Sequence, residues 1–434
     1  MPSLRRTKLA IHGGPQTVTM AAELAAANRW PNIGDEERAA VDEAMNRDDV
    51  YAPIAEFERD FAHYHDANFA LAQNNGTSTL HSAYFAVGVE PGDEVLCPAY
   101  TWHLSVSQVL ALHAIPVFCD VDPVNGCILP EDIERKISPY TKAINVLHPY
   151  GAVAPMDEIM AVARKHGLPV IEDCSHAHGA LYRGKRVGTI GDIGCFSLQA
   201  SKLMMAVEGG VLITDNEEYF ERAVVLGHYE RIPRLRSERY RKYCPGGENA
   251  PTCFGYKYRI HPWAAALARV QLRKLDEANA ARRRNLEYLS EGLTGVCEGF
   301  EPPAEAPETR RTWLSYICQY HADRMGGVTR EEFADALSAE GLPATRGRAG
   351  YAPVYWNPLY EERNMWAQGC PFDCAHSHRR VEYRRGDCPE AEAISRRTIG
   401  LPAFPLPCDR PLLDQCIEAV AKVGRNLVPD RVGR

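Results

Sequence analysis

Between about residue 55 and residue 275 the chain alternates short apolar runs with longer helix-patterned stretches. The runs are Glu94-Val-Leu-Cys97, Pro116-Val-Phe-Cys119, Ala143-Ile-Asn-Val146, Pro169-Val-Ile-Glu172, Gly194-Cys-Phe-Ser197 and Gly210-Val-Leu-Ile-Thr214. Apolar runs of four or five residues read as buried strands, and their alternation with helical segments predicts a mostly parallel α/β sheet. Upstream, an amphipathic pattern over Glu36 to Met45 predicts a helix with a face free to seat a substrate or a partner subunit. Downstream, Leu267 to Asn285 predicts a long connecting helix into a smaller α+β domain ending near Val428. The expected division is 1–275 for the N-terminal segment and large domain, and 276–434 for the small C-terminal domain.

Composition narrows the function classes. The 434 residues are 45% hydrophobic, enough for a large core in more than one domain. Forty-nine basic residues against 57 acidic ones leave a net charge of −8, which offers no footprint for nucleic acid. Met1-Pro-Ser-Leu-Arg-Arg6 is not followed by an apolar core, and no run reaches membrane-spanning length, so a cytoplasmic protein is expected. The 14 cysteines are scattered, several of them in the apolar runs, and read as reduced core thiols.

Four places carry candidate chemistry. Lys202 sits in a Ser- and Gly-rich turn after an apolar run, where a partly desolvated amine becomes a nucleophile toward an aldehyde. Asp173 closes the run Pro-Val-Ile-Glu, at the strand end where open α/β sheets place ligand contacts, and an aspartate there can pair with a pyridinium nitrogen. Asn75-Gly76-Thr77-Ser78 precedes the helical pattern Leu80, Tyr84, Val87 and forms a potential anion site at a helix start. Trp102, after Cys97-Pro-Ala-Tyr-Thr, offers a face for stacking on a flat ring. Each also has an ordinary reading: a solvated lysine, a turn-capping aspartate, helix caps and a core aromatic. Their combination in one chain is far more specific than any member.

With these residues in place, the chain resembles the DegT/DnrJ/EryC1/StrS sugar aminotransferases, pyridoxal-phosphate enzymes of fold type I. The likeness runs nearly end to end. It includes Leu9-Ala-Ile-His-Gly-Gly14, Trp30-Pro-Asn-Ile-Gly-Asp-Glu-Glu-Arg38, Asn75-Gly-Thr77, Pro98-Ala-Tyr-Thr-Trp102, Glu172-Asp-Cys-Ser-His-Ala-His-Gly179, Glu208-Gly-Gly210, Gly255-Tyr-Lys-Tyr-Arg259 and Cys388-Pro-Glu-Ala-Glu392. Phe196-Ser-Leu-Gln-Ala-Ser-Lys-Leu-Met204 and the N-terminal His-Gly-Gly most resemble the branch acting on keto-cyclitols, which includes scyllo-inosose aminotransferases and aminohydroxybenzoate synthase.

The resemblance implies pyridoxal 5'-phosphate held as a Schiff base on Lys202, with Asp173 at the pyridinium nitrogen. It implies Trp102 on the ring, His176 near the ring hydroxyl, and Gly76, Thr77, Ser78 and Ser197 at the phosphate. It further implies glutamine or glutamate as amino donor, a keto-cyclitol or keto-sugar as acceptor, secondary-metabolite biosynthesis, and a homodimer with shared active sites. Lys257 stands where the family usually has an asparagine that reaches the partner's phosphate, and a lysine there would act as a point charge. Val207, where many relatives have glycine, is expected to narrow the space by the catalytic loop. Other pyridoxal-phosphate reactions, or a non-catalytic scaffold, stay open as alternatives; Lys202 argues against the deoxygenating subtype, in which histidine replaces it.

Cys370, Cys374, His376, His378 and Cys388 are spaced unlike any standard zinc ribbon or finger, so no metal is expected and the segment reads as a loop insertion near the active-site mouth. The basic run Arg379 to Arg385 reads as a solvated face, with contact to an anionic substrate as the second possibility.

Overall fold

A computed structural model describes residues 8–245, 255–363, 365–366 and 369–427. The expected α/β sheet is present. Seven strands form it: β1 (Phe69–Gln73), β2 (Glu94–Pro98), β3 (Ile115–Cys119), β4 (Thr141–Leu147), β5 (Val170–Asp173), β8 (Ile193–Ser197) and β9 (Gly210–Thr214), in the order β1-β9-β8-β5-β4-β2-β3. The pairs among β2, β3, β4, β5 and β8 are parallel; β9 runs antiparallel to both β1 and β8. β1 is the strand that the apolar pattern did not predict, because Phe-Ala-Leu-Ala-Gln lacks the β-branched residues that mark a strand.

Helices cover both faces, as a parallel sheet requires. On one face Phe57 and Phe61 of the helix Ala52–His65 pack with Leu272 and Leu275 of the long helix Pro262–Leu293. On the other, Leu80 and Tyr84 of the helix Gly76–Ala86 pack with Val106 and Val109 of the helix Leu104–Ala111 and Val224 of the helix Glu217–Gly227. Between β5 and β8 the chain makes a hairpin of β6 (Leu181–Tyr182) and β7 (Lys185–Arg186), and β6 also pairs with β11 (Thr309–Arg310).

The long connecting helix extends beyond its predicted ends and leads to an antiparallel sheet of β10 (Phe300–Glu301), β12 (Tyr316–Tyr320) and β13 (Thr398–Leu401). A separate core forms there around Leu286, Phe300, Phe333, Phe404 and Val420. Leu9, Val18, Leu24 and Ala27 from the N-terminal segment join this core rather than the large sheet. Val428 lies outside the described residues.

The helix Asp35–Met45 forms as predicted, but its inward face is already occupied. Glu37, buried, accepts hydrogen bonds from Lys274 Nζ at 2.9 Å and Gln271 Nε2 at 2.8 Å, so this face of the helix packs on the long helix. Every described cysteine is free, and Cys97, Cys119 and Cys195 are buried in the core. No described helix is long and apolar enough to cross a membrane.

Candidate active site

Parallel strands end together at one rim, and the loops that leave those ends converge on a cavity of about 1030 Å³. Five strand ends contribute to it. β1 delivers Asn75 to Ser78, β2 delivers Trp102, β4 delivers Tyr150, β5 delivers Asp173 to His176, and β8 delivers Ser197 to Lys202. Gly76, Thr77, Ser78, Trp102, Asp173, His176, Ser197 and Lys202 therefore line one space, although they lie up to 126 positions apart in the chain.

At one end, Asn75 caps the helix Gly76–Ala86 by accepting from Ser78 N–H at 2.7 Å. A Cβ at Gly76 would stand 2.6 Å from Cβ of Ser197, so glycine alone permits this close approach of helix start and strand end. Backbone N–H groups, hydroxyls and the helix dipole together form a cradle suited to phosphate.

At the floor, buried Asp173 accepts from Ser105 Oγ at 2.5 Å and from Ser175 N–H at 3.1 Å. The capping role foreseen for Asp173 is thus real, and it coexists with a place in the cavity wall. Ser105 was not predicted; a serine in the helix after Trp102 carries no signal until the fold sets it against β5. Lys202 is held by a loop whose backbone bonds include Lys202 N–H to Gln199 O at 2.8 Å. Burial pushes its amine below the usual lysine value, partly offset by the charge of Asp173.

His176 is buried. Tyr150 N–H donates to its Nδ1 at 3.2 Å, which leaves Nε2 to donate to the Tyr351 hydroxyl at 3.0 Å. Burial drives its pKa far down, and the nearby Lys202 and His178 act in the same direction, so the ring is neutral. Tyr150 holds a left-handed backbone, φ 52°, and its ring stacks on both His176 and Tyr351. Neither tyrosine was predicted. The indole of Trp102 is 57% exposed and leaves a face open at the mouth.

Two expected residues fall outside this space. Lys257 is exposed, opposite His228 in an isolated bridge, and lines no part of the cavity of its own chain. Val207 is not among the residues that line the cavity: it is 55% exposed, with φ at 65°.

The cysteine- and histidine-rich segment is also placed elsewhere. Arg379 bonds buried Glu94, at 2.9 Å for Nη2, His378 stacks on Tyr140, and the Tyr383 hydroxyl donates to Pro116 O at 2.7 Å. These contacts lie at the amino ends of β2, β3 and β4, opposite the cavity rim, so the segment is not an insertion at the mouth. The basic run is likewise anchored at that far edge, where Arg380 and Arg384 pair with Glu382. Cys388 is buried beside Phe118 O, apart from half-buried Cys370 and Cys374. Among the described residues the one cluster with metal-like spacing is His148, Glu172 and Cys174. Its carboxylate is already satisfied by N–H groups of Gly188, Ile190 and Gly191 and by His148 Nε2. That arrangement is structural.

The family model of the DegT/DnrJ/EryC1/StrS aminotransferases matches residues 31–420. The chain belongs to that family. Within this aminotransferase family it is 37% identical to an L-glutamine:2-deoxy-scyllo-inosose aminotransferase of Streptoalloteichus tenebrarius, over 85% of each chain. It is 33% identical to an L-glutamine:scyllo-inosose aminotransferase of Streptomyces griseus, over 97% of this chain and 98% of that one. Among solved structures, 3-amino-5-hydroxybenzoic acid synthase superposes with a TM-score of 0.76 at 29% identity, covering 91% of this chain and 97% of that one. The DegT/DnrJ/EryC1/StrS assignment agrees with the cavity chemistry: an anion cradle, a buried acid and a desolvated amine are the donor set that pyridoxal phosphate requires.

Proposed function

We propose that the chain is a pyridoxal-phosphate-dependent aminotransferase that moves the amino group of L-glutamine or glutamate to a keto-cyclitol, in aminoglycoside or related secondary metabolism. The observation that carries this reading is the convergence of Lys202, with its depressed pKa, and Asp173 in one cavity that also opens on a helix-start cradle. The names of the relatives supply the donor and the acceptor class.

The chain's own residues divide the work. Gly76, Thr77, Ser78 and Ser197 would hold the phosphate, Trp102 would cover one ring face, and Asp173, fixed by Ser105, would hold a proton on the ring nitrogen. Neutral His176 would approach the ring hydroxyl while Tyr351 fixes its orientation. Pyridoxal phosphate, when bound, supplies an electron sink for the bond broken at the donor's α-carbon. Lys202, free-base at a pH where a solvated lysine is charged, would carry the proton between carbons on one face of the ring.

A homodimer would complete the site. Leu104 and Trp102 leave apolar surface exposed at the cavity, and Lys257 would reach the partner's phosphate as a point charge. The expected species in sedimentation has twice the mass of the chain. The cytoplasm is the compartment proposed.

The deciding experiment records the visible spectrum of the purified holoprotein and then adds L-glutamine without acceptor. Loss of the long-wavelength cofactor band, with growth of a shorter-wavelength band, is expected. An unchanged spectrum with both glutamine and glutamate would overturn the reading.

A further inference from the structure

A charge taken out of water needs a counter-charge, and a guanidinium cannot escape that need by giving up its proton. Arg311, directly after β11, is 5% exposed. Burial pushes its pKa down only to about 10, so the charge stays on at neutral pH. Glu305 is the acid beside it, and that carboxylate is committed elsewhere: it takes both terminal nitrogens of Arg283, at 3.0 and 2.6 Å, and the backbone N–H of Arg311 at 2.7 Å. Within the guanidinium, Nη1 donates to Ala304 O at 2.8 Å, whereas Nε is buried with no partner among the described residues. One face rests on the Trp313 ring at 4.1 Å, which eases the burial without neutralising the charge.

Arg311 lines a second and much smaller cavity, of about 30 Å³, which is room for one particle of the size of a water molecule or a halide. The cavity lies between the rim of the large sheet, which contributes Tyr100, Asn125 and Tyr150, and the smaller sheet, which contributes Gln319 and Thr398. Among the described residues that line it, Arg311 is the single charged one, and no acid is present. Asn125 Oδ1 accepts from Cys127 N–H at 2.8 Å, which leaves the two protons of Nδ2 without a partner among the described residues. Gln319 Nε2 donates to Pro123 O at 2.6 Å and Val124 O at 3.0 Å, and so fixes the turn that carries Asn125 against β12. Tyr100 and Thr398 bring hydroxyl protons to the same walls. A water molecule could take these hydrogen bonds but would leave the buried charge standing, and sulfate or phosphate exceeds the volume.

We propose that this cavity is a halide site, occupied by chloride, in which Arg311 supplies the charge and Asn125 the second donor. The ion would tie the strand ends of the smaller sheet to Tyr150, whose ring stacks on His176 in the large cavity. Neither the site nor its test depends on the aminotransferase reading.

The test is thermal unfolding of the holoprotein in sodium chloride or sodium bromide against sodium gluconate at equal ionic strength, gluconate being too large for the cavity. For the wild type, Tm should rise with halide along a saturating curve, by about 3 °C at a hundred times the half-saturating concentration. Asn125→Asp keeps the acceptor for Cys127 N–H and sets a carboxylate beside Arg311. Its Tm in gluconate should equal or exceed that of the wild type, and its halide shift should fall below about 1 °C. A crystal of the wild type soaked in bromide should show anomalous density in contact with Arg311, a readout that stands even if the variant fails to fold. A wild-type Tm that is the same in halide and gluconate, a halide shift that Asn125→Asp keeps in full, or bromide density that avoids this cavity overturns the proposal.

Discussion

Lys202 sits in a wall that lowers its proton affinity, and that has a measurable sign. Because burial depresses the folded-state pKa from 10.5, the amine loses its proton as pH rises through a value below 10.5. The acid limb of the donor half-reaction should therefore lie below the solvated-lysine value; a limb at that value would contradict a desolvated amine. Lys202→Ala should lose turnover altogether, and retained turnover in a transamination assay would remove the central assignment. Ser105 acts one step back. Ser105→Ala deletes the donor to Asp173 Oδ2, and a hydrogen bond to a charged group is worth about 1.5–3 kcal/mol. Cofactor affinity, measured by titration of the apoprotein, should weaken about 10- to 100-fold in proportion. Lys202, Asp173 and Trp102 were legible in the sequence because their residue types follow strand-like runs. Ser105, Tyr150 and Tyr351 were not, since a serine or tyrosine acquires meaning only from what the fold sets opposite it.

Elements are tied together by buried charges with several partners each. Glu340, at the end of the helix Arg330–Ala339, accepts from Ala10 N–H, Thr17 N–H, the Thr17 hydroxyl and Lys422 Nζ. This links the N-terminal segment to the C-terminal helix Arg410–Leu427 across the whole length of the chain. Removing one partner strands the other, so Lys422→Ala should cost about 3–5 kcal/mol in urea denaturation. A loss below about 1 kcal/mol would show that solvent replaces the pair. Glu172, within β5, plays the same part. Burial raises its pKa, but the bonds from His148 and the backbone outweigh that and hold it below 4.5. Its contribution to stability is present above the ordinary carboxylate value and lost as pH falls through the lower folded-state value. In Glu172→Gln the acid side of the stability curve should be flatter than in wild type, whereas a superimposable slope would assign acid unfolding to other groups. None of these ties can be read from the sequence, because their partners lie far apart in the chain and share no pattern.

At the scale of the molecule, the sequence by itself determined the fold class, six of the seven strand runs of the large sheet, and Lys202, Asp173, Trp102 and the turn Gly76 to Ser78 among the residues that meet at the cavity. Those features follow from local apolar periodicity and from strand ends, which a linear reading can locate. The tertiary structure alone decided where peripheral segments go. The helix Asp35–Met45 spends its inner face on the long helix, and Leu9, Val18, Leu24 and Ala27 join the core around the smaller sheet. The segment 370–388, whose cysteines and histidines suggested a place at the mouth, is bound at the amino ends of β2 to β4 instead. It is held there by an ion pair to Glu94, and Arg379→Ala should speed proteolytic nicking of the segment without changing donor affinity. Slower donor conversion in that variant would mean that the two rims communicate. Packing of this kind depends on complementary surfaces formed only after the sheet exists, whereas the alternation that builds the sheet is written along the chain from the start.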